Sequence, residues 1–141
     1  MVRATVIVDT GPLIASINKK DQYHRWTQKQ TRKLSLPFLT CEAVLSEAWF
    51  LLQRFPVEQE KMLRLLEKKE ILVDFDLSAE ISHVVELLRR YKNVPMSLAD
   101  ACLVRMSELH TDCLIFSTDT DFNIYRRRGD QIIPTLLPAF T

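Results

Sequence analysis

Five short apolar runs punctuate this chain, at residues 4–8, 36–39, 71–73, 113–116 and 131–133, and helical stretches fill the intervals between them. Runs such as Val6-Ile7-Val8 and Leu114-Ile115-Phe116 are apolar at consecutive positions, without the alternation of a strand that faces water on one side. That is the pattern of strands buried on both faces. Strands alternating with helices predict an α/β chain built on a parallel sheet with helices on both sides. The 141 residues suit a single domain spanning 1–141. A chain of that size buries enough surface to need no disulfide or metal staple.

The helices carry their own punctuation. Pro12 suits the first turn of a helix over residues 13–18, and Asp21 reads as the N-cap of a second helix reaching about residue 33. Thr40, with Glu42 close behind, nearly fits a capping box for a helix to Arg54, and Pro56 opens another over 57–69. Ser78 caps the next helix, Asn93-Val94-Pro95 breaks it, and Ser97 caps a last long helix that ends near His110.

Composition removes several function classes. Only two glycines occur, Gly11 and Gly129, so no glycine-rich phosphate loop of the P-loop or dinucleotide-binding kind is available. A net charge of +1 rules out a strongly basic coat for nucleic acid. Cys41, Cys102 and Cys113 form no C-x-x-C pair and read as buried reduced thiols, which points to a cytoplasmic protein. The three histidines stand apart, against a zinc site. No 18-residue apolar span or signal-peptide core is present, so no membrane association is expected.

In parallel α/β sheets, ligands sit outside the carboxyl ends of the strands. Asp9 follows the first run, and Asp119 and Asp121 follow the fourth. Two more acids stand on helices: Glu47 shares an apolar face with Ala43 and Leu51, and Asp100 lies between Ala99 and Ala101. A carboxylate on a packed face is costly without a partner. These helices offer few cations facing the same way, so a hard divalent ion held by oxygens is the natural partner. Each acid alone has a plain structural reading, as cap, turn residue or solvated charge; the joint pattern points to metal-assisted phosphodiester hydrolysis.

The arrangement resembles the PIN-domain nucleases over nearly the whole chain. Val6 to Ala15, with Asp9 after the strand, is similar to the family's opening motif. Ser46-Glu47 resembles the second motif, Ser97-Leu98-Ala99-Asp100-Ala101 the third, and Phe116-Ser117-Thr118-Asp119-Thr120-Asp121-Phe122 the fourth. At this length the chain most resembles the toxins of VapBC-type toxin–antitoxin pairs. The resemblance implies a three-layer α/β/α fold with a five-stranded parallel sheet and Mg²⁺- or Mn²⁺-dependent cleavage of RNA. It also implies a homodimer and a small antitoxin partner. Asp9, Glu47, Asp100 and Asp119 would be the catalytic acids, with Asp9, Asp100, Asp119 and Asp121 holding metal. Thr10, Ser97 and Ser117 would support them. The family often carries Thr then Asn ahead of the fourth acid, where this chain has Ser117 and Thr118.

Arg126, Arg127 and Arg128 follow the fourth motif and are candidates to grip the RNA backbone, although most charge runs are only solvated faces. Other readings compete. A non-catalytic PIN-like binding module would have no need for clustered carboxylates, and a stand-alone housekeeping ribonuclease would share every residue named so far. Asp9-Thr10-Gly11 also matches an aspartic-protease half-site, but that fold is all-β and glycine-rich. A phosphatase-like α/β domain lacks an obvious late lysine.

Overall fold

The computed structural model describes residues 4–139. Its main sheet holds five parallel strands in the order β3-β2-β1-β4-β7. These are β1 (Thr5–Val8), β2 (Phe38–Thr40), β3 (Ile71–Val73), β4 (Cys113–Phe116) and β7 (Thr135–Leu136). Six α-helices connect and cover the sheet as an α/β/α sandwich: α1 (Thr10–Ile17), α2 (His24–Thr31), α3 (Glu42–Leu51), α4 (Pro56–Glu67), α5 (Leu77–Arg90) and α6 (Leu98–Leu109). The β-branched run of β1 pairs with β4 over its whole length, from Thr5↔Cys113 to Val8↔Phe116. The chain steps outward from β1 to β2 and β3, then returns to the other side of β1 as β4. The carboxyl ends of β1 and β4 therefore flank the topological switch point, where open α/β sheets bind ligands.

The central helix is α6. Its Ala101, Leu103, Val104 and Met106 are wholly buried, and it packs against both α5 and β1. A buried leucine such as Leu103 is worth about 2–5 kcal/mol against alanine, so the first turn of α6 stands on a firm base. Ser97 caps this helix as its sequence suggests, its hydroxyl accepting the Asp100 N–H at 3.0 Å. Asp100 is thus held at the amino end of a rigid element.

Several expected boundaries move. The run at 131–133 does not supply the fifth sheet strand. Arg128 and Gly129 take left-handed backbone angles (φ 51° and 93°), so Gln131–Ile132 (β6) folds back antiparallel on Arg126–Arg127 (β5). Only past Pro134 does the chain enter the main sheet, beside β4. Thr40 is not the N-cap of α3: its hydroxyl donates to the Val8 carbonyl at 2.8 Å and ties β2 to β1, leaving Cys41 at the cap position. Asp76, not Ser78, caps α5 by accepting the Ala79 N–H. Asp21 accepts the Tyr23 N–H in the turn ahead of α2, whose cap position is Tyr23. Of the three replacements only Asp76 makes a side-chain cap bond; Tyr23 and Cys41 hold their cap positions without one. Cys41, Cys102 and Cys113 are buried free thiols, as expected. Among the described residues no helix is long and apolar enough to cross a membrane.

Candidate active site

Asp9 leaves β1 as the N-cap of α1, its Oδ1 accepting the Thr10 N–H at 2.7 Å. Its Oδ2 accepts the Ser117 hydroxyl at 2.7 Å, and Ser117 stands one residue past the end of β4. The same Ser117 oxygen accepts the Asp119 N–H at 2.9 Å. One hydroxyl therefore links the acids that follow the two strands. Asp119 caps the short 3₁₀ turn Thr120–Asn123 by accepting the Asp121 N–H at 2.9 Å. Asp100 arrives from α6, and Glu47 arrives from α3, where Oε2 accepts the Thr10 hydroxyl at 3.2 Å.

All five acids, Asp9, Glu47, Asp100, Asp119 and Asp121, line one open cleft of about 490 Å³ at the carboxyl edge of the sheet. Asp21 lines it as well. Among the described residues that line it, none is a lysine or arginine. A separate, more apolar cavity of about 330 Å³ lies between α1, α2, α4 and the sheet and contains none of these acids.

The electrostatics follow from this crowding. Burial pushes the Asp9 carboxyl up to about 6; the bonds from Ser117 and Thr10 pull it down, and the charges of Asp100 and Asp119 raise it further. Burial likewise raises Asp100, opposed by its bond from Tyr125 and assisted by Asp119. Asp121 is shifted upward by desolvation and then by Asp119. Asp9 and Asp119 at N-caps and Asp100 in a first helical turn gain from the helix dipoles, which offset part of the repulsion. Among the described residues that line the cleft, no lysine or arginine answers the remaining negative charge. An all-oxygen donor set of this kind fits a hard divalent ion and does not suit a soft one. Among the described residues no three side chains already stand as a closed metal cage; the acids line the cleft walls instead.

Glu47 differs from its expected setting. It is not on a packed face: α3 buries Val44 and Ala48, while Glu47 and Leu51 are exposed and border the cleft together. On the apolar face that suggested burial, Ala43 packs against the core, but Leu51 is 48% exposed and the stripe opens to the surface towards the end of α3.

The sequence matches the PIN domain family over residues 6–128. The chain belongs to the PIN-domain family. No curated protein matches the sequence. Among solved structures, the fold is similar to that of Mycobacterium tuberculosis VapC20, a sarcin–ricin-loop-cleaving toxin. The TM-score is 0.69 at 21% identity, over 85% of this chain and 94% of that one. The α/β/α fold is thus that of a PIN domain, and every acid singled out from the sequence reaches the cleft at its switch point.

The arginine run lies away from the acidic cleft. Arg127 is buried at 9% exposure, and its Nη1 donates to the Ser107 carbonyl at 2.8 Å. Arg128 donates to the Glu108 carbonyl at the far end of α6 from Asp100. The Arg126 guanidinium closes on the carbonyls of Asn123, Ile124 and Tyr125. The β5–β6 hairpin sends these side chains to its own backbone and to the C-terminal end of α6, and none of the three lines the acidic cleft. Two features escaped the sequence reading. The Tyr125 hydroxyl donates to Asp100 Oδ2 at 2.9 Å from a fully buried position, and only the tertiary fold brings the two together. At Gly11, a Cβ would overlap the Thr118 hydroxyl, so the α1 amino end and the fourth motif interlock there; glycine at the start of an apolar helix was the available signal.

Proposed function

We propose that this PIN domain is a metal-dependent ribonuclease and the toxin of a type II toxin–antitoxin pair, acting in the cytoplasm. The observation that carries the reading is six carboxylates lining one switch-point cleft with no lysine or arginine among its lining residues. Uncompensated charge of that density suits a cation-binding site that works on phosphate. The likeness to VapC20 supports RNA as the substrate.

Asp9, Asp100, Asp119 and Asp121 are the residues to hold Mg²⁺ or Mn²⁺, and Glu47 completes the catalytic acids. When bound, such an ion supplies an acidified water and a positive charge against the phosphate. Ser117 fixes Asp9 and the Asp119 backbone in one relative position, so the acids from two strands move as a unit. Thr10 orients Glu47 across the cleft, and Ser97 fixes the first turn of α6 beneath Asp100. Without a cation the cleft repels a polyanion, which makes RNA engagement conditional on the ion.

The partner reading rests on the apolar surface beside the cleft. Trp49, Phe50 and Leu51 on α3, with Phe55 and Val57 after it, are all exposed. Such a surface suits the amphipathic helix of a small antitoxin, which would reach an Arg or Lys into the carboxylates. Homodimerisation goes with the same reading; light scattering that shows a monomer at micromolar concentration refutes it.

Purified protein incubated with a labelled ribosomal RNA stem-loop tests the activity. Cleavage is expected with Mg²⁺ or Mn²⁺, is expected to stop with EDTA, and is expected to disappear in Asp9→Asn and Asp100→Asn. Cleavage that survives both substitutions, or EDTA, overturns the assignment.

A further inference from the structure

Three of the acids have an evident device that aims them. The Ser117 hydroxyl donates to Asp9 Oδ2, the Asp121 N–H to Asp119 Oδ1, and the Thr10 hydroxyl to Glu47 Oε2. For Asp100, Ser97 accepts the backbone N–H at 3.0 Å, which fixes the helix, and its backbone and side chain also favour the ionised carboxylate. The bond that acts most strongly on the carboxylate comes from Tyr125, whose hydroxyl donates to Oδ2 at 2.9 Å and outweighs either contact with Ser97.

Tyr125 is 0% exposed. Its ring is held edge-on by Tyr91, with centroids 5.1 Å apart at 65°, and by Phe122, at 5.4 Å and 89°. The Tyr91 hydroxyl accepts the Arg126 N–H at 2.9 Å, which pins the backbone one residue beyond Tyr125. An aromatic box of this kind would be filled as well by phenylalanine. A phenol buried there costs free energy unless its hydroxyl is partnered, and its partner is one carboxylate of the acidic cleft. The arrangement makes sense if the hydroxyl serves that carboxylate.

We propose that Tyr125 is a positioning residue for Asp100: it occupies one lone pair of Oδ2 and locks the carboxylate so that its remaining oxygen sites are presented to a divalent cation in the cleft. This inference rests on the metal-dependent reading given above and deepens it by naming the side chain that prepares the α6 ligand. Partners that orient ligating groups in this way are typically worth ten- to a hundredfold in metal affinity or activity.

The experiment is a direct Mn²⁺ titration followed by electron paramagnetic resonance, on the full chain and on Tyr125→Phe. Thermal melting is run in parallel to establish that the variant is folded. The expected result is an Mn²⁺ affinity weakened about ten- to a hundredfold in Tyr125→Phe. RNA cleavage should return close to the wild-type kcat at saturating Mn²⁺, with the KM for RNA unchanged. A merely structural tyrosine would instead lower the melting temperature and depress kcat at every Mn²⁺ concentration, leaving the affinity of the folded fraction alone. Either that pattern or an Mn²⁺ affinity within twofold of wild type overturns the positioning role while the metal-dependent reading stands. Failure of the wild-type protein to bind Mn²⁺ at all removes both together.

Discussion

Ser117 and Asp9 lie 108 residues apart in the chain, yet the Ser117 hydroxyl donates to Asp9 Oδ2 at 2.7 Å. The bond exists because β1 and β4 are register partners through Val8 and Phe116, which brings the residues following each strand side by side. It is also one of the two bonds that lower the Asp9 carboxyl against the effect of burial.

Removing that hydroxyl should therefore act on Asp9 in a defined direction. In Ser117→Ala the Asp9 carboxyl is expected to titrate above its present value, because burial is then opposed only by the Thr10 N–H. Metal-dependent cleavage should fall about ten- to a hundredfold at pH 7, with part of the loss recovered at higher pH as Asp9 ionises. A pH–rate profile of both proteins checks this; superimposable profiles would contradict it.

The metal-free protein should carry the strain of Asp9 in its stability. The folded carboxyl sits at about 6 against an ordinary 3.8, so the folded state binds the extra proton between those values. Stability associated with this group is fully present below about pH 4 and is lost as pH rises through about 6. The shift corresponds to at most about 3 kcal/mol. Asp9→Asn should consequently stabilise the metal-free chain at pH 7.5 by about 1–3 kcal/mol and flatten its pH dependence. Urea unfolding with EDTA present, at pH 4.5 and 7.5, reads both effects. A variant less stable than wild type at pH 7.5 would show that the lost bonds outweigh the relieved charge.

Arg127 should behave as a core residue. Its guanidinium is buried and donates to the Ser107 carbonyl and the Cys113 sulfur. Arg127→Ala strips these bonds and opens space beneath the β5–β6 hairpin, with an expected cost of about 2–4 kcal/mol. The KM for RNA of the folded fraction should not change. A stable variant with weakened RNA binding would restore the phosphate-contact reading of this position.

Gly11→Ala tests the interlock between the first and fourth motifs. The new methyl collides with the short Thr118 side chain, which cannot swing far, so the segment bearing Asp119 has to move. Shifts of even an ångström at a catalytic group can cost about a hundredfold. The expected phenotype is a folded protein with reduced cleavage, and Thr118→Ser in the same chain should recover little, since the hydroxyl remains. Thr118→Gly should recover more.

The sequence by itself was enough for the fold class and for five of the six acids that line the cleft. Consecutive apolar residues in 4–8 and 113–116 meant strands buried on both faces, and the order of elements meant a parallel sheet. Acids placed after two strands, with Asp100 amid small buried residues, marked one edge of it. These are local signals: periodicity, caps and turn residues act over a few neighbours and can be read along the chain. The tertiary structure decided what depends on residues far apart. Glu47 proved to border the cleft from an exposed helix face, because whether an apolar stripe is covered depends on what packs against it. Arg127 turned inward and Arg128 reached the carboxyl end of α6, because a left-handed turn at Arg128 and Gly129 folded the hairpin onto that helix. The fifth strand moved past Pro134 for the same reason. The bond from Tyr125 to Asp100 had no sequence signal at all, since a buried phenol and a carboxylate 25 residues apart meet only when α6 and the segment after β4 pack together.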